Sequence, residues 1–183
     1  MTREELAALL SERSETHFAA VTARRIREAD AVEVLYDLVV HPSAAWSRER
    51  RHRLLFRGAC VLERIYFEDP GRWTPLVTDF CRRDFAAAED ASQRRLFAKI
   101  MVDLLCRNSV PVVDLGSIAE AAAAWAVDPA MPVAVKVWAL DILTQCRGRV
   151  AWVGELWSDL IGTLERDASP GMVCRLRRIA ALR

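Results

Sequence analysis

The stretch from Asp128 to Leu143, DPAMPVAVKVWALDIL, constrains the fold of this chain more than any other, because a turn and a proline lead into a long apolar helix. A helix over residues 132–146 has few polar positions, which are Lys136, Asp141, Thr144 and Gln145. A helix that is apolar on nearly every side must be packed on several sides. We therefore expect it to lie in the interior of a stack of helices.

The order of turn, proline and helix recurs along the chain. Proline is tolerated at the first turn of a helix, where its missing N–H would have no partner. Five prolines fall at or just inside predicted helix starts, and they are Pro70, Pro111, Pro129, Pro132 and Pro170. The starts are roughly 37 to 46 residues apart, which is the period of two-helix repeats. The sequence therefore predicts stacked helix pairs.

Each predicted pair has a first helix, A, and a second helix, B. The A helices are predicted at 29–40, 71–85, 113–127 and 150–166, and the B helices at 46–67, 92–107, 132–146 and 170–182. An amphipathic helix over 2–13 and another that begins at Ser14 or Thr16 precede them. Strand and hairpin patterns are missing from the sequence. We expect a single all-α domain over residues 1–183, with an N-terminal helical cap at 1–28 and the repeats at 29–183.

Two stretches carry a family resemblance, DPAMPVAVKVWALDIL and DASPGMVCRLRRIAAL. In both, an aspartate precedes a basic residue by eight positions, as Asp128 precedes Lys136 and Asp167 precedes Arg175. This pattern resembles the inter-repeat Asp and basic positions of HEAT repeats, and the chain is similar to small bacterial HEAT-like proteins. The resemblance implies a right-handed α-α superhelix of about four helix pairs. The earlier repeats depart from it, since the spacing from Asp90 to Arg95 is shorter.

Charge is nearly balanced, because 26 basic residues face 25 acidic ones for a net charge of +1. Such a balance argues against obligate nucleic-acid binding but leaves a local basic groove open. One basic residue recurs in each B helix, at Arg53, Arg95, Lys136 and Arg175. These residues either pair with Asp90, Asp128 and Asp167 as a ladder between repeats, or form a groove for phosphate or an acidic peptide. Arg57, Arg94 and Lys99 lie near enough to extend such a groove.

Two further arginine clusters allow the same pair of interpretations. The first is RERRHR at 48–53, and the second comprises Arg175, Arg177, Arg178 and Arg183. A run of like charges is ordinarily a solvated face, and cations are stabilising at a helix C-terminus. The alternative is a contact with nucleic acid or an acidic protein.

Cysteine and tryptophan mostly indicate core packing. The five cysteines, at 60, 81, 106, 146 and 174, form no CxxC motif and lie beside apolar residues, which favours buried, reduced thiols in a cytosolic protein. The six tryptophans fall mostly at helical spacing with other apolar residues. Trp46 and Trp73 begin predicted helices and are therefore the best candidates for exposure.

Catalytic chemistry has little support in the sequence. The three histidines are scattered, and the chain has no HExxH, GxSxG or glycine-rich phosphate motif. We predict neither a metal site nor a cofactor. Asp103 and Asp141 lie beside apolar residues inside B helices, so either could have a raised pKa and act as a general base. That arrangement resembles the helical-repeat DNA glycosylases that remove alkylated bases.

The preferred interpretation is a non-enzymatic scaffold that binds a protein or peptide. We expect binding through the basic positions, which are Arg53, Arg57, Arg95, Lys99 and Lys136. DNA binding or base excision on the same face is the main alternative, and self-association through the ends of the stack is another. The charged N-terminus and the lack of an apolar run of about 18 residues predict a cytoplasmic protein without a membrane partner.

Overall fold

The computed structural model describes residues 1–12, 17–166 and 168–181, and its longer elements are all α-helices. The helices are α1 (Arg3–Ser11), α2 (Phe18–Glu28), α3 (Val32–Val40), α4 (Arg48–Glu68), α5 (Val77–Asp79), α6 (Ala91–Cys106), α7 (Leu115–Val127), α8 (Val133–Cys146), α9 (Ala151–Glu155), α10 (Trp157–Arg166) and α11 (Pro170–Ala180). The predicted all-α class is confirmed. None of the described helices is long and apolar enough to cross a bilayer.

The helices pack mainly on their neighbours in sequence. α4 packs on α6, α6 on α8, and α8 on α11. α3 packs on α4, α7 on α8, and α10 on α11, while α1 and α2 both pack on α4. α8 therefore touches α6, α7 and α11, and the expectation that it is an interior helix is confirmed.

Side-chain caps fix several of the helix starts. Thr2 begins α1 and Asp90 begins α6, each with a capping box in which the residue three positions later bonds back to the cap. The Ser47 hydroxyl accepts a hydrogen bond from the Arg50 amide at the start of α4, and the Ser169 hydroxyl accepts one from the Met172 amide at the start of α11. Each cap satisfies a backbone N–H that has no partner inside its helix.

The prediction of a regular A helix at 71–85 is wrong. The segment begins with a 3₁₀ turn at Pro70–Trp73, continues through the short α5, and ends in a π-helical turn at Phe80–Asp84. Pro75 falls inside this stretch, and a proline in a helix interior removes one hydrogen bond and clashes with the preceding turn. The chain therefore changes helix type twice within one predicted helix.

Trp73 explains why this irregular segment still packs tightly. Its side chain is fully buried, so the expectation that it is exposed is wrong. The indole makes edge-to-face contacts with Tyr36 at 5.7 Å, Tyr66 at 5.4 Å and Phe80 at 5.3 Å between ring centroids. Trp46, the other candidate for exposure, is partly buried against the core.

The last A helix is also interrupted. The prediction of one helix at 150–166 is corrected to α9 and α10, which are separated at Leu156. Leu156 is 52% exposed, whereas the next residue, Trp157, is buried. The interruption therefore places Trp157 in the core.

A close approach of three helices occurs at Gly58 of α4. An added Cβ there would overlap the Cγ2 atom of Val39 and would lie 3.6 Å from Leu10 and 3.7 Å from Leu35. Glycine is needed here for space, because its backbone is ordinary α-helix.

We predict that Gly58→Ala lowers the free energy of unfolding by about 1–3 kcal/mol, since overpacking strains a filled core. Gly162→Ala is the matched control, because Gly162 lies inside α10 with no atom within 4 Å of an added Cβ. Alanine there should raise stability by about 0.5–1 kcal/mol through helix propensity. Urea denaturation followed by circular dichroism measures both, and a Gly58→Ala protein as stable as wild type would contradict the packing described.

Candidate functional site

An open, largely apolar cleft lies along α6, between α4 and α8. Its volume is about 360 Å³. The side chains that line it include Glu63, Phe67, Lys99, Val102, Cys106 and Trp138. Phe67 is 49% exposed and Cys106 is also exposed, while Trp138 is partly buried. We call this cleft the α6 groove.

A row of charged contacts links the helices around the groove. The Lys99 ammonium donates to the Glu63 carboxylate at 2.7 Å and lies 5.9 Å from the centroid of the Trp138 ring. Arg175 of α11 contacts the same ring at 5.6 Å and pairs with Asp141 at 2.9 Å. The row therefore crosses from α4 to α11, and its cations are already compensated by carboxylates or an aromatic face.

Arg95 lies on α6 one turn before Lys99 and is half-buried. Among the described residues, no carboxylate forms an ion pair with its guanidinium and no acceptor receives a hydrogen bond from it. It lies close enough to the Cys60 thiol to lower the thiol pKa, but burial outweighs this effect and the pKa is raised. Arg95 is thus a cation near the groove, and its N–H groups are available to a ligand.

The other predicted binding residues serve different contacts. Arg53 donates to Glu49 one turn earlier on α4 at 2.8 Å. Arg57 donates to the carbonyl oxygen of Leu10 at 2.7 Å and to that of Glu12, and it lies over the ring of Phe18. Arg57 therefore holds the C-terminal end of α1, whose last carbonyls have no partner inside the helix.

Lys136 does not reach the α6 groove. It lines another cavity of about 370 Å³, together with Val127, Thr163, Leu164 and Met172 of neighbouring helices. Lys136 and Trp138 are two positions apart on α8, which places them on different sides of the helix. The five predicted binding residues are thus divided: Lys99 lines the groove, and Arg95 lies one helical turn before it on α6.

The ladder expected between aspartates and basic residues takes a different form. Asp90 caps α6 and contacts His52 at 2.5 Å, and Asp128 accepts a hydrogen bond from the Ala130 amide at 2.8 Å. Asp167 lies outside the described residues. Neither Asp90–Arg95 nor Asp128–Lys136 forms an ion pair in the parts of the chain that the structure covers.

Polar pairs between different helices do exist, at a nearly constant separation in sequence. Lys99 and Glu63 are 36 residues apart, Tyr66 and Asp103 are 37, and Arg51 and Glu89 are 38. His52–Asp90 also spans 38 residues. Opposite charges 36 to 38 residues apart in sequence would have indicated the Lys99–Glu63 and Arg51–Glu89 pairs, whereas short spacings do not indicate Glu63 or Glu89.

The arginine cluster at 48–53 is therefore largely paired. Arg51 bonds to Glu89 at 2.5 Å, His52 contacts Asp90, and Arg53 bonds to Glu49. An open cleft of about 740 Å³ lies among these pairs. In the C-terminal cluster Arg175 is paired and Arg177 and Arg178 are exposed, while Arg183 lies outside the described residues.

The two candidate bases are both held by cations. Asp103 accepts hydrogen bonds from the Tyr66 hydroxyl at 2.5 Å and the Arg107 Nε at 2.6 Å. Asp141 pairs with Arg175, and burial raises its pKa above the ordinary value of 3.8, while Arg175 and Arg178 oppose that rise. Both carboxylates join secondary-structure elements, which gives each a structural role.

The cysteines divide into two groups. Burial raises the pKa of the Cys81 thiol to about 12, with a smaller contribution from Asp114, and that of Cys146 to about 11. Cys106 and Cys174 are exposed, so the expectation that the thiols are buried is wrong for these two. Within the described ranges, His, Cys, Asp and Glu form no group of three that could hold a metal ion.

Comparisons of this chain with protein-family models, with curated proteins and with solved structures give no match.

We predict that Arg175→Gln raises the pKa of Asp141 further, because the attraction to the guanidinium is lost while burial remains. An NMR titration of the Asp141 carboxyl carbon measures this, with Arg177→Gln as an exposed control on the same helix. The folded-state pKa lies above the unfolded one, so the contribution of Asp141 to stability is full below the unfolded pKa and is lost as pH rises through the folded pKa. A pKa at or below 3.8 in the wild-type protein would contradict this account.

Proposed function

We propose that the chain is a HEAT- or armadillo-like stack of about four helix pairs that binds a segment of a protein partner in the α6 groove, without enzymatic activity. The packing order of α4, α6, α8 and α11 supports the stack, and so do the polar pairs 36 to 38 residues apart. Repeat proteins of this kind use an extended surface formed by successive repeats to bind partners.

The groove fits a partner that carries a bulky apolar side chain. Phe67, Val102 and Trp138 supply apolar walls, and charged residues surround them. Exposed apolar patches with a polar rim are typical of protein-interaction sites, and tryptophan and arginine are enriched among the residues that dominate binding energy. A helical or extended peptide with one or two apolar anchors would fill this space.

The charges favour an acidic residue next to that anchor. Lys99 is compensated by Glu63, so Arg95, one turn away, is the cation with donors available. Opposite charges across an interface fix orientation and exclude wrong partners. A row of paired cations also suits a mixed interface better than a track of phosphates, which requires several uncompensated cations.

Selection from a displayed random-peptide library against the wild-type protein tests this proposal. We expect enriched peptides with a large apolar residue and a nearby Asp or Glu. Phe67→Ser should weaken their binding by about tenfold or more, which is roughly 1.4 kcal/mol, and Arg95→Glu should weaken it comparably. Bound peptide should also slow alkylation of Cys106.

Leu156→Ser is the matched control, since Leu156 is exposed to the same degree as Phe67 but lies between α9 and α10. Peptides that bind Phe67→Ser as well as they bind Leu156→Ser would overturn the placement in the groove. Binding of a mixed-sequence DNA duplex, with or without an alkylated base, that falls steeply with salt and is lost in Arg95→Glu would instead favour the nucleic-acid function.

A further inference from the structure

Another cavity, of about 450 Å³, lies where the irregular segment at 70–84 meets the C-terminal end of α6. We call it the α5 cavity. A straight A helix, as the periodicity predicts, is replaced there by a 3₁₀ turn, α5 and a π-helical turn. The 3₁₀ turn contributes Pro70 and Gly71 to the lining, and α5 contributes Val77 and Thr78. Departures from the local sequence rules concentrate at functional sites. The cavity is distinct from the α6 groove, although Asp103 lies at the wall between them.

The side chain of Arg107 is 56% exposed, and its guanidinium is oriented at this cavity by a bond through its Nε. Arg107 lines the cavity, and its Nε donates to Asp103 at 2.6 Å. The same carboxylate oxygen accepts a hydrogen bond from Tyr66, whose ring is buried and whose hydroxyl stays protonated because burial and Asp103 raise its pKa. The two Nη groups of Arg107 donate to no acceptor within the described residues, so they are available to a ligand.

Three exposed residues with hydroxyl side chains also belong to the lining. Thr74, Thr78 and Ser109 line the cavity, and their side-chain oxygens have no hydrogen-bond partner in the region that the structure describes. The lining also has apolar side chains, which include those of Val77, Leu104 and Pro111. A cavity with an apolar wall and a few convergent polar groups is the usual form of a small-molecule site.

We propose that this cavity binds a small molecule that carries one carboxylate on an apolar body. The two Nη groups form the fork that a planar carboxylate accepts in a bidentate manner. Asp103 already compensates part of the positive charge, and the other polar groups are neutral hydroxyls, so a monoanion fits better than a doubly charged phosphate. The apolar body lies against Val77, Leu104 and Pro111.

The test is an NMR titration of the full chain with 3-phenylpropionate and, separately, with its neutral amide. The carboxylate should shift the backbone amides of Thr74, Thr78 and Ser109, and the amide should bind at least about tenfold more weakly, because it cannot pair with the guanidinium. Arg107→Gln should weaken the binding of 3-phenylpropionate by a similar factor. Thr78→Val should weaken this binding less, since only one neutral hydrogen bond is removed.

Arg64→Gln is the matched control. Arg64 is also exposed and pairs through its Nε with a carboxylate four residues away, Glu68, but it does not line the cavity. Equal binding of the carboxylate and the amide, equal loss in Arg107→Gln and Arg64→Gln, or no shift at the three hydroxyl-bearing residues would each overturn the proposal. These outcomes are independent of the peptide experiment, because neither Phe67 nor Arg95 lines this cavity.

Discussion

Burial of the Trp73 indole is the interaction on which the centre of the molecule depends. It joins Tyr36 of α3, Tyr66 of α4 and Phe80 through edge-to-face contacts. Phe80 then contacts Phe97 of α6 at 5.2 Å between centroids. Each such pair contributes about 0.5–1.5 kcal/mol beyond its burial. Side-chain packing therefore holds the irregular segment at 70–84 in place, where a continuous ladder of helical hydrogen bonds is missing.

The polar ends of two of these aromatic residues connect the core to surface charges. The Tyr36 hydroxyl donates to the buried Asp84 at 2.7 Å, and Asp84 also accepts a hydrogen bond from Arg83 at 2.7 Å. In the same way, the Tyr66 hydroxyl donates to Asp103, and Asp103 also accepts a hydrogen bond from Arg107. A buried phenol without a partner would cost about 1–3 kcal/mol. The bonds that satisfy the Tyr66 hydroxyl thus also orient the Arg107 guanidinium at the α5 cavity.

The sequence predicts the helices well where local chemistry determines them. Prolines and caps set the starts of α6, α8 and α11, and the all-round apolar character of α8 correctly indicates an interior helix. The helix predicted from periodicity is wrong at 70–84, because the packing of Trp73 overrides helical periodicity there. The five predicted binding residues also do not come together, since Arg57 binds α1 backbone carbonyls and Lys136 lines another cavity. Partners such as Glu63 for Lys99 are 36 residues away, beyond any short motif.

The order in which the helices pack also affects how stability is distributed along the chain. α4 has neighbours on several sides, whereas α11 packs mainly on α8 and α10. In a structure built from nearest-neighbour contacts, an element at the end is supported by one interface and opens at a lower free energy than an interior one. The backbone amides of α11 should therefore exchange with solvent hydrogen through local opening, while those of α4 exchange only when the whole structure unfolds. The Arg175–Asp141 pair belongs to the part that opens first, so the end of the charged row separates while the groove around Phe67 remains intact.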